Sequence, residues 1–95
     1  MILGKVVGTV VSSTDQVGIS GKAFLLIEKC NQEGVLKNDF VVALDLVGAG
    51  RDEMVMVSEG STARETPLTT GKPLDALVVG IVDIIDENDT VIYRK

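Results

Sequence analysis

Glycines placed inside runs of β-forming residues constrain the fold of this chain more than any other feature. The first run, ILGKVVGTVV from Ile2 to Val11, carries Gly4 and Gly8, with Ile2, Val6 and Val10 sharing one phase around them. A glycine inside a strand marks a bulge, a sharp bend or the close approach of another backbone. Two in one strand predict a strand that curls around a small barrel. The strongest run, ALVVGIVDII from Ala76 to Ile85, repeats the device at Gly80.

Between these runs, Ala23 to Cys30, Phe40 to Val47 and Glu53 to Ser58 read as the second, third and fourth strands. Ala76 to Ile85 is the fifth, and Thr90 to Arg94 closes the chain in a hairpin with it. The stretches NQEGVLKND (31–39) and DEND (86–89) are turns, and SSTDQVGISG (12–21) is a loop. Thr62 and Glu65 have the Thr-x-x-Glu spacing of a capping box, while Pro67 disfavours helix at Thr66. One helical turn at most is expected there, followed by an irregular connection over 66–73. The expected architecture is all-β with one short helical turn, in a single domain over residues 1–95. It is a small five-stranded OB-like β-barrel plus a C-terminal hairpin.

A chain of 95 residues buries only roughly 60–65% of its unfolded surface, so its stability alone is modest. Disulfides, metals or oligomerisation usually assist at this size. Cys30 is the only cysteine and there is no histidine. No intrachain disulfide is possible, and zinc or iron–sulfur sites lack ligands. Association between copies remains, and a 45% hydrophobic composition with 24% charged residues suits it.

The same inventory excludes most chemistry. Without histidine the usual base for a nucleophile is missing. Gly21-Lys22 and Gly71-Lys72 lack the surroundings of a phosphate-binding loop. Gly48-Ala49-Gly50 begins like a dinucleotide fingerprint but has Glu53 where the third glycine belongs. Cys30 reads as a small core or interface residue. The acidic turns, including DENDT, read as solvated. No enzyme activity, cofactor or metal is expected. A net charge of −5 opposes binding to phosphates, and Phe24 and Phe40 sit in apolar runs, as core residues do, leaving few platforms for bases. No apolar run approaches the ~20 residues of a membrane span. The start, MILGKVVG, lacks the basic leader of a signal peptide, so a cytoplasmic location is expected. Asp45 stands out because it interrupts the apolar strand VVALDLVG. It faces water, accepts hydrogen bonds from a loop or pairs with Arg64. A partnered role is favoured because a partly buried carboxylate needs a partner.

Three segments recur in order: MILGKVVGTVVSS, then VALDLVGAG with EMVMVSEGSTARE, then PLDALVVGIVDII. Together they resemble the EutN/CcmL family, the vertex proteins of bacterial microcompartment shells, over almost the whole chain. The resemblance implies an OB-like barrel assembled as a homopentamer that caps the vertices of a shell built mainly from hexamers. Its partners would be itself and hexameric shell proteins. A cyclic ring is head-to-tail, so each subunit needs two different complementary surfaces. Loops of small residues let five copies crowd an axis. Gly48, Ala49 and Gly50, and Gly60, Ser61, Thr62, Ala63 and Arg64, correspond to the family's signature loops. They are expected to build the subunit interface and the surround of the pore. Arg64 would anchor to a carboxylate such as Asp45, and the segment from Ile84 to Arg94 would reach toward a neighbour. The family often has glycine where this chain has Asp52, and aspartate tolerates left-handed backbone better than most residues. Five subunits at −5 give a formal charge of −25 per ring. The alternative is an OB-fold-like binding module for a nucleic acid or small ligand, opposed by the acidic balance and the few aromatics.

Overall fold

The computed structural model describes residues 1–11, 23–60 and 76–95. The expected loop at 12–21, the helical turn at Thr62 to Glu65 and the connection over 66–73 lie outside the described residues. The strands are β1 (Ile2–Val10), β2 (Phe24–Cys30), β3 (Leu36–Asp45), β4 (Met54–Glu59), β5 (Ala76–Ile81), β6 (Ile84–Glu87) and β7 (Thr90–Arg94). The first five form a closed barrel in the order β1-β2-β3-β5-β4, with β4 returning to β1. Every pairing in it is antiparallel except β3 with β5. That parallel contact is short: Leu44 lies opposite Leu77 and Asp45 opposite Val78. β6 and β7 form a separate hairpin.

Alternation along each strand sends one set of side chains inward. Val6, Leu25, Ile27, Ala43, Val55, Val57, Ala76 and Val78 fill the barrel. Small residues are needed where strands crowd. A Cβ on Gly4 would run into Ile27 Cγ2 and stand 3.1 Å from the Glu28 carbonyl oxygen. Gly8 borders a register shift between Val6 and Gly8. The extra residue, Val7, changes the phase of β1. Ile2 and Val6 therefore turn inward as expected, but Val10 pairs with Phe24 on the outer face. There Phe24, with Leu46 and Val79, packs against the fully buried Leu44 and Leu77.

Three other expectations change. The third strand starts at Leu36, not Phe40. The turn before it is tighter than 31–39, because the Asn31 Oδ1 accepts the N–H groups of Glu33 and Val35, both at 2.9 Å. A bulge follows. Leu36 lies opposite Cys30 and Phe40 opposite Glu28, with Asn38 at φ 56 between them. Phe40 is not core: Val41 and Ala43 take the inward positions, and Phe40 is left 48% exposed. Finally, the predicted fifth strand is two. Val82 still donates its N–H to the Met54 carbonyl at 2.8 Å, and then the chain leaves the barrel at the exposed Asp83. The hairpin partner of β7 is thus β6. Asn88 and Asp89 turn it with φ 54 and 63, the paired positive values that two-residue hairpin loops favour. Ile85 and Tyr93 fold the hairpin onto Leu3, Cys30, Met54 and Val82. Cys30 is buried as expected, and burial pushes its thiol pKa up despite nearby Lys5 and Lys37.

Candidate functional site

The loop that leaves β3 carries the first group of expected interface residues. Its shape follows from a local accounting of backbone donors. Asp45 ends β3, and its carboxylate turns back over the residues that follow. Oδ1 accepts the N–H groups of Val47 and Gly48, both at 3.0 Å, and of Ala49 at 3.3 Å. Oδ2 accepts the Ala49 N–H at 3.1 Å. The next amide, Gly50, donates to Glu53 Oε1 at 2.6 Å, and the Glu53 N–H returns to the Gly50 carbonyl at 3.2 Å. Four successive N–H groups are thereby satisfied by two carboxylates of the same loop. These four amides are engaged and have nothing to offer a phosphate, so they do not form the anion cradle that a glycine-rich loop otherwise supplies.

Each small residue has its own reason. Gly48 has φ 74, and a Cβ there would meet nothing within 4 Å. The requirement is backbone conformation, since the space around it is open. Ala49 is half-buried and packs against the barrel core beside Ile2 and Ile81. Gly50 faces the Glu53 carboxylate, which a Cβ would approach to 3.3 Å. Asp52 takes φ 70, so aspartate does adopt the left-handed backbone here. The Asp52 N–H donates to the Val6 carbonyl at 2.8 Å, and the Val6 N–H donates to the Glu53 carbonyl at 3.1 Å. These two bonds fasten the end of the loop to β1.

Glu53 also receives the end of the chain. Lys95 Nζ lies 2.6 Å from Glu53 Oε2, with Asp83 Oδ1 3.9 Å away. The lysine hydrogen bond, followed by the Gly50 N–H, holds the Glu53 carboxyl below its ordinary pKa. The same contact raises the Lys95 ammonium. Glu53 was not among the expected site residues. Its signal was its place three residues after Gly50, the mirror of Asp45 three residues before Gly48.

Of the second group, Gly60 is described: it follows the last residue of β4 at φ 70 with open space around it. Ser61, Thr62, Ala63 and Arg64 lie outside the described residues, and with them the expected Asp45–Arg64 contact. Asp45 does have a partner, the loop amides. No group of three or more metal-ligating side chains occurs among the described residues.

The family model described as "Ethanolamine utilisation protein EutN/carboxysome" matches residues 1–83. The carboxysome shell vertex protein CcmL of Thermosynechococcus vestitus is 40% identical over 95 residues, covering 100% of this chain and 96% of the relative. The solved structure of CcmL from Nostoc sp. PCC 7120 superimposes with a TM-score of 0.92 at 43% identity, covering 100% of both chains. A pentameric microcompartment shell protein, GrpN from Rhodospirillum rubrum, superimposes with a TM-score of 0.80 at 40% identity, covering 92% of this chain and 100% of that one.

Proposed function

This chain belongs to the EutN/CcmL family, and from that premise we propose how its own residues serve a microcompartment shell vertex. The protein is a structural shell component and not an enzyme. Five copies form a ring that caps a vertex, as the pentameric relative does. The ring carries the curvature that lets flat layers of shell proteins close. Hexameric shell proteins are the neighbours in those layers, and the assembly stands in the cytoplasm. Within the ring, Gly48, Ala49 and Gly50, with the second loop from Gly60 to Arg64, line the contacts between subunits and the surround of the axis. The hairpin segment from Ile84 to Arg94 reaches to the next copy.

The observation that carries the loop assignment is the closed donor accounting at Asp45 and Glu53. Ordering a flexible loop during assembly costs entropy, on the order of 1–2 kcal/mol per residue fixed. Here the loop is ordered by its own carboxylates inside one subunit, so that cost falls on folding and not on association. A small-residue tip with open space beside Gly48 then leaves room for a neighbouring copy.

Native mass spectrometry tests this reading. The wild type is expected at five times 10.1 kDa. Gly48→Trp is expected to abolish the ring while the subunit keeps its β-sheet circular dichroism. Gly48→Ala, which adds the backbone strain without the bulk, is expected to retain it. A Gly48→Trp protein that stays a ring of five would remove the loop from the interface. Co-expression with a hexameric shell protein then checks the vertex role by electron microscopy: closed polyhedra with the wild type, open sheets or tubes with Gly48→Trp.

A further inference from the structure

We propose that a cleft at the C-terminal end of β2 binds a small organic anion, a carboxylate carried on a short aliphatic body. The inference does not depend on the ring reading above. The cleft has a volume of about 260 Å³ and is lined by Ile2, Leu3, Lys29, Cys30, Asn31, Gln32 and Lys37. An apolar cavity of ~150 Å³ holds benzene, so this volume suits roughly ten non-hydrogen atoms. The start of β1 and the end of β2 come together here, with Gly4 opposite Lys29 and the Asn31 turn beginning just after Cys30. Ile2 packs against the barrel core and Leu3 against the cluster beneath the hairpin, and both add apolar surface to the cleft. Apolar walls with a few polar groups are the usual makeup of a small-molecule site.

The polar side of the cleft is rich in donors. Lys29 Nζ has Asp39 Oδ2 at 3.6 Å and Glu59 Oε2 at 3.9 Å. Both distances exceed the ~2.7–2.9 Å of a charge-assisted hydrogen bond. The two carboxylates hold the ammonium in place without taking up its three donors. The Lys29 side chain is only 27% exposed, so water satisfies those donors in part, and an ammonium drawn out of water needs oxygen acceptors. Lys37, exposed at the same cleft, forms no ion pair among the described residues. Its uncompensated charge suits a ligand with one negative charge. Asn31 Oδ1 is taken by the N–H groups of Glu33 and Val35, which leaves the side chain its Nδ2 donors. The Gln32 amide is held by Glu87 Oε1 at 3.0 Å and fixes that wall to the hairpin. Burial pushes the Cys30 thiol up, against the charges of Lys5 and Lys37, so at neutral pH it brings no negative charge to the cleft. In a chain of net charge −5, two ammonium groups beside Ile2 and Leu3 therefore offer an anionic head and an aliphatic body one place to bind together.

Methyl NMR of the full chain, labelled at isoleucine and leucine and titrated with sodium hexanoate, tests this. The Ile2 and Leu3 methyl shifts are expected to saturate with a Kd of about 1 mM, as few contacts to a small ligand allow. Acetate supplies the head without the body, and hexan-1-ol the body without the head. Each is expected to bind at least about tenfold more weakly. Lys37→Met keeps the apolar stem and removes the charge; it is expected to weaken hexanoate by about tenfold with unchanged circular dichroism. Lys29→Met is expected to do the same, and if its loss from between Asp39 and Glu59 unfolds the barrel end, Lys37→Met decides alone. Shifts that rise without saturating, hexan-1-ol binding as tightly as hexanoate, or unchanged hexanoate binding by Lys37→Met would each overturn the site. Hexyl phosphate binding more tightly than hexanoate would overturn the carboxylate. Native mass spectrometry of the same samples keeps the two readings apart: a ring of five that does not bind hexanoate refutes the cleft, and a monomer that binds it refutes only the ring.

Discussion

The loop from Asp45 to Glu53 and the edge of β3 from Leu36 to Ala43 are adjacent in the chain, yet they dispose of their backbone groups in opposite ways. The loop keeps its donors at home: the amides of Val47 to Gly50 all end on its own carboxylates. The edge, among the described residues, leaves one side of a strand without a ladder and sets two apolar side chains in water. A small barrel cannot bury everything. What it completes internally is positioned before any assembly. On this comparison, substitutions that remove the loop's own acceptors act on the subunit, and substitutions of the exposed side chains on the edge leave subunit stability nearly unchanged.

The sharpest way to break the comparison is at Asp45. Asp45→Ala removes the acceptor for three amides and is expected to cost the subunit about 2–3 kcal/mol, since hydrogen bonds to a charged group are the stronger kind. Urea unfolding at fixed protein concentration measures it, and hydrogen exchange at 47–49 should quicken. Asp45→Asn keeps an oxygen and is expected to lose less. If Asp45→Ala dissociates the ring without destabilising the subunit, the loop is not self-contained. Gly48→Ala comes next, at about 1–2 kcal/mol for a left-handed backbone without a clash. Asp52→Gly, at the same kind of backbone, is expected to shift stability by less than about 1 kcal/mol. On the edge, Val42→Thr is expected to change subunit stability by no more than about 0.5 kcal/mol, as exposed positions do. A larger change, read by the same urea titration, would mean that Val42 is packed within its own subunit.

Legibility in the sequence divides along the same line. Features decided by one residue and its near neighbours were readable. Gly4 marks the close approach of Ile27, Gly8 borders a bulge, Asp52 carries a left-handed turn, and Asp45 needs a partner. The closed barrel with a terminal hairpin followed from such signals. Features decided by register were not readable. Phe40 belongs to an apolar run, and its outward orientation depends on how β3 pairs with β2 around Asn38. The apolar run from Ala76 to Ile85 hides the exit at Asp83, because the bond from Val82 to Met54 and the packing of Ile85 on Met54 are both tertiary. The sequence left Asp45 facing water, bound by a loop or paired with Arg64; its bonds to the loop amides rest on the turn its own strand end makes, and Arg64 lies outside the described residues.

The contact of Glu53 with Lys95 joins the loop to the end of the hairpin, and it should give the smallest effect of all. Glu53 closes the loop at Gly50 and, through Lys95, holds the end of the hairpin beside it. The Lys95 N–H also donates to the Asp83 carbonyl at 2.8 Å. The Lys95 side chain is half exposed and solvent screens its charge, so the pair contributes little to stability. Its pH signature is nevertheless defined. The folded pKa of Glu53 lies below its ordinary 4.5, so its contribution is present above that value and is lost as pH falls through the depressed one. The folded pKa of Lys95 lies above its ordinary 10.5, so its contribution is present below that value and is lost as pH rises through the raised one. The difference in stability between wild type and Lys95→Met should therefore be constant from about pH 5 to 10 and shrink at both ends. It should also shrink with added salt. Urea unfolding of the two proteins across pH measures that difference, and a difference that instead grows below pH 4 would show that Lys95 is held by something other than the ionised Glu53. Hydrogen exchange at Gly50 gives the second reading. If the hairpin end and the loop are joined through Glu53, Lys95→Met should leave the Asp45 amides protected and speed exchange at Gly50 alone, because only that amide shares its acceptor with the lysine.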